Sequence, residues 1–288
     1  MAQGFNRIKE YVDADLNGQS FFSTFRKVPT QVTTTGVWFD LSMSPGNPLP
    51  KYWFDATPLT ATIVRQSTDV GIRHGADCSP LYKYLARTTF LTATATPLPM
   101  PIIVCDYLLY YPTIDEGTTD VQTMINTNTL TRYTDGKGVQ AIAISVASRA
   151  GGQSFSINYT NSDGVAGRVS QSVVQNGNAV IGSIVNTAPA TLGTSSPFIP
   201  LQQGDIGIRS IQSVTMNGID VGLFSIVLVK PLETTLIKDI TAPIEKNYLI
   251  DSGQVSRIYD DAFLGALCLP QGSLNAVQIL GDITTIWN

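Results

Sequence analysis

Charged side chains are scarce in this sequence. Asp, Glu, Lys and Arg make up 14% of its 288 residues, whereas an average soluble domain has roughly 25%. The formal net charge is only −4, and no run of Lys and Arg occurs along the chain. Because phosphate contacts require clustered basic side chains, this composition argues against a nucleic-acid-binding protein.

Long apolar runs are also absent. No uninterrupted apolar stretch approaches the ~20 residues needed to cross a bilayer. Residues 1–18 lack the basic-then-apolar order of a secretion signal. We therefore expect a soluble chain that makes no membrane contact and folds in the cytoplasm of the cell that produces it.

Cysteine and histidine are few as well. Cys78, Cys105 and Cys268 are far apart in the sequence, so neither a disulfide framework nor a zinc site is expected. His74 is the only histidine, and a Ser–His–Asp triad would have to be built on it. Since no serine occurs in a G-x-S-x-G elbow, we expect His74 to pack in a loop or lie at the surface.

The sequence is instead rich in the uncharged residues Thr, Ser, Asn, Gln and Gly. Such residues suit the exposed faces of twisted sheets. Period-2 alternation dominates residues 139–230. In "SFSINYT", for example, Phe155, Ile157 and Tyr159 alternate with polar residues. The dense apolar run at 101–114 predicts a buried strand.

Turn and cap signals place further elements. Asn-Gly at 176–177 and Met-Asn-Gly at 216–218 predict strand pairs joined by tight turns. "FNRIKEYV" has the apolar spacing of a helix near the N-terminus. In "CSPLYKYLART", Ser79 can cap an interior helix and Pro80 fits its first position. Residues 231–288 are expected to be loop-rich.

The predicted fold class is therefore mainly β: an antiparallel, jelly-roll-like β-sandwich with a short N-terminal helix and one or two further short helices. One β-rich unit over residues 1–288 is expected. The alternative is a subdivision into an N-terminal region with an extended arm, 1–115, and a β-sandwich, 139–288. The polar stretch between them would then be a boundary rather than a surface loop.

The stretch "DADLNGQSFFST" begins like a calcium loop, with Asp13, Asp15 and Asn17 in alternation and Gly18 at the turn. Its twelfth position should be a bidentate Glu and is Thr24, and its eighth and ninth positions also depart from the pattern. We therefore interpret it as a helix that ends near Asp15, with left-handed backbone at Asn17 and Gly18. A weak cation site is the alternative.

Several acidic and aromatic residues are candidates for a catalytic or sugar-binding site. Two carboxylates across a cleft would be typical of a glycosidase, and an aromatic platform would be typical of a sugar-binding surface. The acids are Asp106, Asp115, Glu116, Asp260 and Asp261, and the aromatics are Trp38, Tyr52, Trp53, Tyr110 and Tyr111. Solvated or capping acids and core or interface aromatics are the favoured interpretations, so no catalytic, cofactor-binding or metal site is predicted, and no enzyme.

Both ends of the chain resemble a group of tailed-bacteriophage virion structural proteins. The resemblance rests on "MAQGFNRIKEYVDADLNGQSFFSTFRKVP" and "GVWFDLSMSPGNPLPKYW" at one end, and on "GLFSIVLVKPLETTLIKDITAPIEKNYL" and "IYDDAFLGALCLPQGSLNAVQILGD" at the other. It implies a protein of the virion, of the capsid decoration (cement) or head-associated type, whose partners are the major capsid protein and copies of itself.

Three alternatives remain open beside a decoration protein. One is a head–tail connector or tail protein, and another is a carbohydrate-binding or depolymerising receptor protein built on the same kind of sandwich. The third, the major shell protein, is disfavoured because its fold carries a long spine helix, and the sequence has no amphipathic stretch of that length. Charge-poor strands with apolar loops agree with a subunit that works through repeated contacts.

Overall fold

A computed structural model describes residues 5–177, 180–186, 196–248, 251 and 256–288. Its helical elements are α1 (Ile8–Leu16), α2 (Gln66–Asp69) and a 3-10 helix (Leu41–Met43). Neither α-helix in the described residues is long and apolar enough to span a bilayer. The remaining regular structure is antiparallel sheet, so the prediction of a mainly β, sandwich-type fold with a short N-terminal helix is confirmed.

The strands are, in chain order, β1 (Ser20–Lys27), β2 (Phe39–Asp40), β3 (Gly46–Asn47), β4 (Thr62–Ile63), β5 (Lys83–Thr92), β6 (Met100–Asp115), β7 (Gln122–Thr123), β8 (Gln140–Ser145), β9 (Ser154–Asn161), β10 (Arg168–Val169), β11 (Val173–Val174), β12 (Ile208–Met216), β13 (Leu223–Ile237), β14 (Ile244–Asn247), β15 (Arg257–Ile258), β16 (Phe263–Cys268) and β17 (Ile279–Trp287). Sheet I has the order β14-β5-β17-β1-β3, with β15 paired to β5. Sheet II has the order β2-β16-β6-β13-β8, with β4 on β6. Sheet III has the order β10-β9-β12-β7, with β11 on β9.

Sheets I and III pack against the same face of sheet II, at opposite ends of the long strand β6. Val104 of β6 lies in a hydrophobic cluster with Phe90 of sheet I. Four residues further along the strand, Leu108 lies in a second cluster with Ile157 of sheet III. Side chains two apart on a strand share a face, so Asp106 lies between the two clusters. The fold is therefore two sandwiches that share sheet II.

The opposite face of sheet II is covered by the irregular segment that precedes β5. Trp53 of this segment is fully buried and stacks parallel on Tyr107 of β6, with ring centroids 5.2 Å apart. Its Nε1 donates to Asp40 Oδ2 at 2.6 Å. Within this segment, β2 and β4, of two residues each, pair with β16 and β6 of sheet II.

The interior helix predicted at "CSPLYKYLART" is wrong, because most of this stretch belongs to β5. Residues 78–81 form a turn instead, closed by the Leu81 N–H donating to the Cys78 carbonyl at 2.8 Å. Leu85, Thr88 and Phe90 of β5 are buried. The β-branched and aromatic residues of the strand therefore outweigh the local Ser-Pro cap signal.

The strand pairs predicted around the two glycine turns are also wrong. β10 and β11 both pair with β9 rather than across Asn-Gly 176–177, and residues 178–179, which follow the predicted turn, lie outside the described residues. β12 and β13 lie on either side of 216–218 but enter sheets III and II. Residues 231–288, expected to be loop-rich, contain the end of β13 and the four strands β14 to β17.

Candidate functional site

The predicted calcium loop is largely helical. Asp13 and Asp15 lie in the last turns of α1, where Asp13 forms an ion pair with Lys9 and Asp15 accepts from the Ser20 hydroxyl at 2.6 Å. The helix ends at Leu16, and only Gly18, with φ of 74°, takes the left-handed backbone expected of both exit residues. Among the described residues, no group of three or more His, Cys, Asp and Glu side chains is placed to hold a metal ion.

His74 is buried in the interior beside β5. Its Nε2 lies 2.8 Å from the Ala262 carbonyl, and because a carbonyl can only accept, Nε2 carries the proton. The other nitrogen, Nδ1, accepts from the Lys83 ammonium at 3.3 Å. Burial and the Lys83 charge lower the pKa of His74 to about 4. His74 is therefore a neutral packing residue at neutral pH.

Lys83 and Asp260 continue this buried network toward the surface. The Lys83 ammonium donates to the Ala76 carbonyl at 2.7 Å and lies 3.4 Å from Asp260 Oδ1. Asp260 also accepts from the backbone N–H groups of Cys78 and Ser79, at 3.0 and 3.1 Å. Burial opposes its ionisation, but these donors and Lys83 outweigh burial and lower its pKa. Asp260 thereby stabilises the turn that precedes β5.

The other four acids have structural partners as well. Asp106 forms a buried ion pair with Arg132, and Glu116 forms one with Arg149. Asp115 accepts from the Gly117 N–H, and Asp261 accepts from the Ser67 N–H at the start of α2. Each carboxylate is engaged in an ion pair or a turn, which agrees with the favoured interpretation of these residues.

Most of the aromatic candidates are core residues. Trp38, Trp53, Tyr110 and Tyr111 are buried, so they cannot form a surface platform. Tyr52 is exposed, and its only ring neighbour among the described aromatic residues is Phe54, with centroids 5.3 Å apart.

A cleft of about 530 Å³ opens at the junction of the two sandwiches. Its walls come from the turn before β5, from β15 and the residues after it, and from the segments around 65 and 131–132. The polar and aromatic lining includes Arg65, Tyr82, Arg132, Arg257, Tyr259 and Asp261. Because side chains from distant parts of the chain converge there, this cleft is the principal candidate for a ligand site.

Arg257 is held between two tyrosine rings at this cleft. Its guanidinium carbon lies 3.7 Å from the ring centroid of Tyr82 and 4.5 Å from that of Tyr259. Tyr259 is supported in turn by an edge contact with Tyr133, whose hydroxyl donates to the Arg257 carbonyl at 3.2 Å. These contacts fix the plane of the guanidinium group.

The charges of the cleft are balanced with one exception. Lys83 faces Asp260, Arg65 lies 3.9 Å from Asp261, and Arg132 is paired with a buried carboxylate. Arg257 has no carboxylate within ion-pair distance in the part of the chain that the structure describes, and its buried Nε has no hydrogen-bond partner there. The cleft therefore presents one uncompensated, oriented cation.

A second candidate surface is an apolar stripe on α1. Ile8, Val12 and Leu16, at intervals of four residues, are 71%, 48% and 79% exposed. Residues at this spacing lie on one face of a helix. The opposite side of the helix packs on sheet I, where Ala14 is buried against Ile286 of β17. We call Ile8, Val12 and Leu16 the apolar helix stripe.

The outer face of sheet III is a third surface, and its centre is formed by uncharged polar side chains. Ser156 pairs with Thr215 and Asn158 with Ser213 across β9 and β12, and these half-buried side chains point away from the core. Val169 of β10, the partner of Asn158 on its other side, is exposed. Covering such a face does not require the desolvation of ions.

Comparison with known proteins identifies no family. No family model and no curated protein matches the chain. T=1 particles derived from infectious bursal virus align at 12% identity and a TM-score of 0.18, and the subviral particle of infectious bursal disease virus VP2 at 11% and 0.11. Both alignments cover 93% of this chain and 78% of the other. At such TM-scores the superpositions carry no argument about fold or function.

Proposed function

We propose that this chain is a structural subunit of a virus particle, which acts by association with copies of itself and with a major capsid protein rather than by catalysis. The observation that carries the proposal is the apolar helix stripe. Three large aliphatic side chains in a row on a surface helix lose their contact with water when a neighbouring subunit covers them, and this burial is favourable.

Two further features support an assembled rather than a solitary subunit. The uncharged polar centre of the outer face of sheet III lies on a different sheet from the one that carries α1. Two separate contact surfaces allow a subunit to bind more than one neighbour, as a closed shell requires. The resemblance of both chain ends to tailed-phage virion proteins favours a capsid decoration protein within this class, located in the virion.

The first experiment removes the apolar helix stripe without disturbing the fold. In the variant Val12→Lys/Leu16→Lys, both substitutions fall on exposed positions of α1, so we expect native circular dichroism. Sedimentation velocity over a hundredfold range of concentration should show association of the unchanged chain and a loss of association in this variant. The control, Thr119→Lys/Thr127→Lys, adds the same charge at exposed positions on either side of β7 and should associate normally.

A chain that stays monomeric throughout that range, and does not bind empty capsids, would contradict the proposal. The second experiment counts copies in particles that contain the chain. A copy number on the order of hundreds agrees with a decoration protein, whereas about six or twelve copies would replace that role with a connector or tail role of ring symmetry.

A further inference from the structure

The cleft at the junction of the two sandwiches has the size of a small-ligand site. Its volume of about 530 Å³ lies within the range of small-ligand sites, roughly 300–1,000 Å³. One side of the cleft is formed by β5 and β15 of sheet I, and another side by the segment that carries Arg132. The apolar helix stripe is not part of its lining, so ligand binding and subunit association can be tested separately.

We propose that this cleft binds a carboxylate-bearing saccharide, with Arg257 as the anchoring cation. A guanidinium group binds a carboxylate through two parallel N–H···O hydrogen bonds. The two tyrosine rings fix the guanidinium plane before any ligand arrives, which reduces the entropy lost on binding. Because Lys83, Arg65 and Arg132 already face carboxylates, the cleft has one uncompensated positive charge, which suits one carboxylate.

The rest of the wall favours a sugar over other acidic ligands. Ser79, Thr131 and Asp261 line the cleft with hydroxyl and carboxylate groups, which accept hydrogen bonds from sugar hydroxyls. Two acids, Asp260 and Asp261, would repel the second charge of a phosphate more than they repel a monoanion.

The test compares an acidic sugar with its neutral form. Calorimetric titrations use a uronic-acid trisaccharide and its methyl ester, and a sialylated trisaccharide and its neutral parent. We expect at least one acidic sugar to bind with a stoichiometry of about one per chain, and its neutral form to bind at least tenfold more weakly, as the loss of a charge-assisted pair implies. Raising the salt concentration should weaken binding of the acidic form only.

Variants locate the binding at Arg257. Arg257→Gln should weaken binding of the acidic sugar at least tenfold, and Arg257→Lys should restore only part of it, because an ammonium group cannot form the bidentate pair. Arg26→Gln removes the same charge from an exposed position of β1 and should bind as the unchanged chain does. Near-ultraviolet circular dichroism and the urea midpoint establish that each variant is folded.

Several results would overturn the proposal. They are no binding of either acidic sugar at millimolar concentration, equal binding of the acidic and neutral forms, and unchanged binding by folded Arg257→Gln. Tighter binding of inorganic phosphate, or of a short peptide through its C-terminal carboxylate, would assign the cleft to another ligand class. None of these results bears on subunit association, which sedimentation measures separately.

Discussion

Arg132 holds Asp106 in the protein interior with two hydrogen bonds, from Nε at 2.9 Å and from Nη2 at 2.8 Å. The pair lies at the point on β6 where the core shared with sheet I meets the core shared with sheet III. Burial raises the pKa of Asp106 to about 6 although the guanidinium opposes the rise. Arg132 Nη2 also donates to the Val64 carbonyl at 3.1 Å. This ion pair therefore ties the loop at 132 to the shared sheet.

We predict that Arg132→Leu lowers the free energy of unfolding by about 3–5 kcal/mol, because it leaves Asp106 buried without a counter-ion. The double variant Asp106→Leu/Arg132→Leu should recover most of that loss, since no charge then remains in the interior. Urea denaturation of both variants measures the difference. A cost below about 1 kcal/mol for the single variant would show that water reaches Asp106, and Arg26→Leu provides the exposed control.

A second prediction concerns the side chain of Asp40, which accepts a hydrogen bond from Trp53. Asp40 is buried and accepts from Trp53 Nε1, from the Tyr107 hydroxyl at 2.7 Å and from the Ser42 N–H at 3.0 Å. Tyr107→Phe removes one of these donors and leaves a buried oxygen of Asp40 with one partner fewer, so it should cost about 1–3 kcal/mol in the free energy of unfolding. Thermal and urea unfolding measure it.

The matched control is Tyr52→Phe, which removes the same hydroxyl from an exposed ring. That change should stay within about 0.5 kcal/mol of the unchanged chain. Equal effects of the two substitutions would mean that the Tyr107 hydroxyl contributes nothing specific to Asp40.

The close packing of Tyr107 also predicts the effect of adding one methyl group at Gly265. Gly265 of β16 faces Tyr107 so closely that a Cβ there would lie 2.7 Å from the ring carbon Cε2. Gly265→Ala should therefore overpack the core and destabilise the protein by about 1–3 kcal/mol. Gly152→Ala is the control, because its Cβ would have 3.6 Å of clearance from the nearest atom, the Gln175 carbonyl oxygen. Equal unfolding midpoints for the two variants would contradict the packing of Tyr107 on β16.

Local sequence patterns predicted one strand whose two faces differ, β9, and one strand that is buried on both faces, β6. β9 alternates between buried and half-buried residues as "SFSINYT" indicates, and the apolar run at 101–114 is β6. Patterns failed where a distant partner decides the structure. A Ser-Pro signal typical of a helix start precedes β5, but β17 pairs with β5 over nearly its whole length. The assignment of β12 and β13 to different sheets likewise depends on contacts far away in sequence.

The cleft could not be predicted from the sequence either, because its residues come from distant parts of the chain. Arg65, Tyr82, Arg132 and Arg257 are at least 17 positions apart in the sequence, and no spacing rule brings them together. The sequence offered one signal, the run "RIYDD" with an arginine, an aromatic residue and two acids within five positions. That Arg257 lacks a carboxylate partner while the other cations of the cleft have one follows only from the folded arrangement.

The last prediction concerns acid stability. His74 is the only histidine, and burial together with Lys83 lowers its pKa from 6.5 to about 4 in the folded protein. Between these values the unfolded chain binds more protons than the folded chain, so stability rises with pH in this window and falls as the pH drops from about 6.5 to 4. A shift of this size corresponds to about 3 kcal/mol, all of it present above pH 6.5.

The measurement uses the difference between two chains, because several carboxylates also titrate in this window. His74→Gln keeps an amide that can donate to the Ala262 carbonyl but cannot titrate. Its unfolding free energy should therefore fall less steeply between pH 6.5 and 4 than that of the unchanged chain. The single histidine ring resonance should titrate below pH 5 in the folded protein. A titration midpoint near pH 6.5 would mean that the His74 ring is exposed to water. The assignment of a buried, neutral His74 that is protonated on Nε2 and lies between Ala262 and Lys83 would then be wrong.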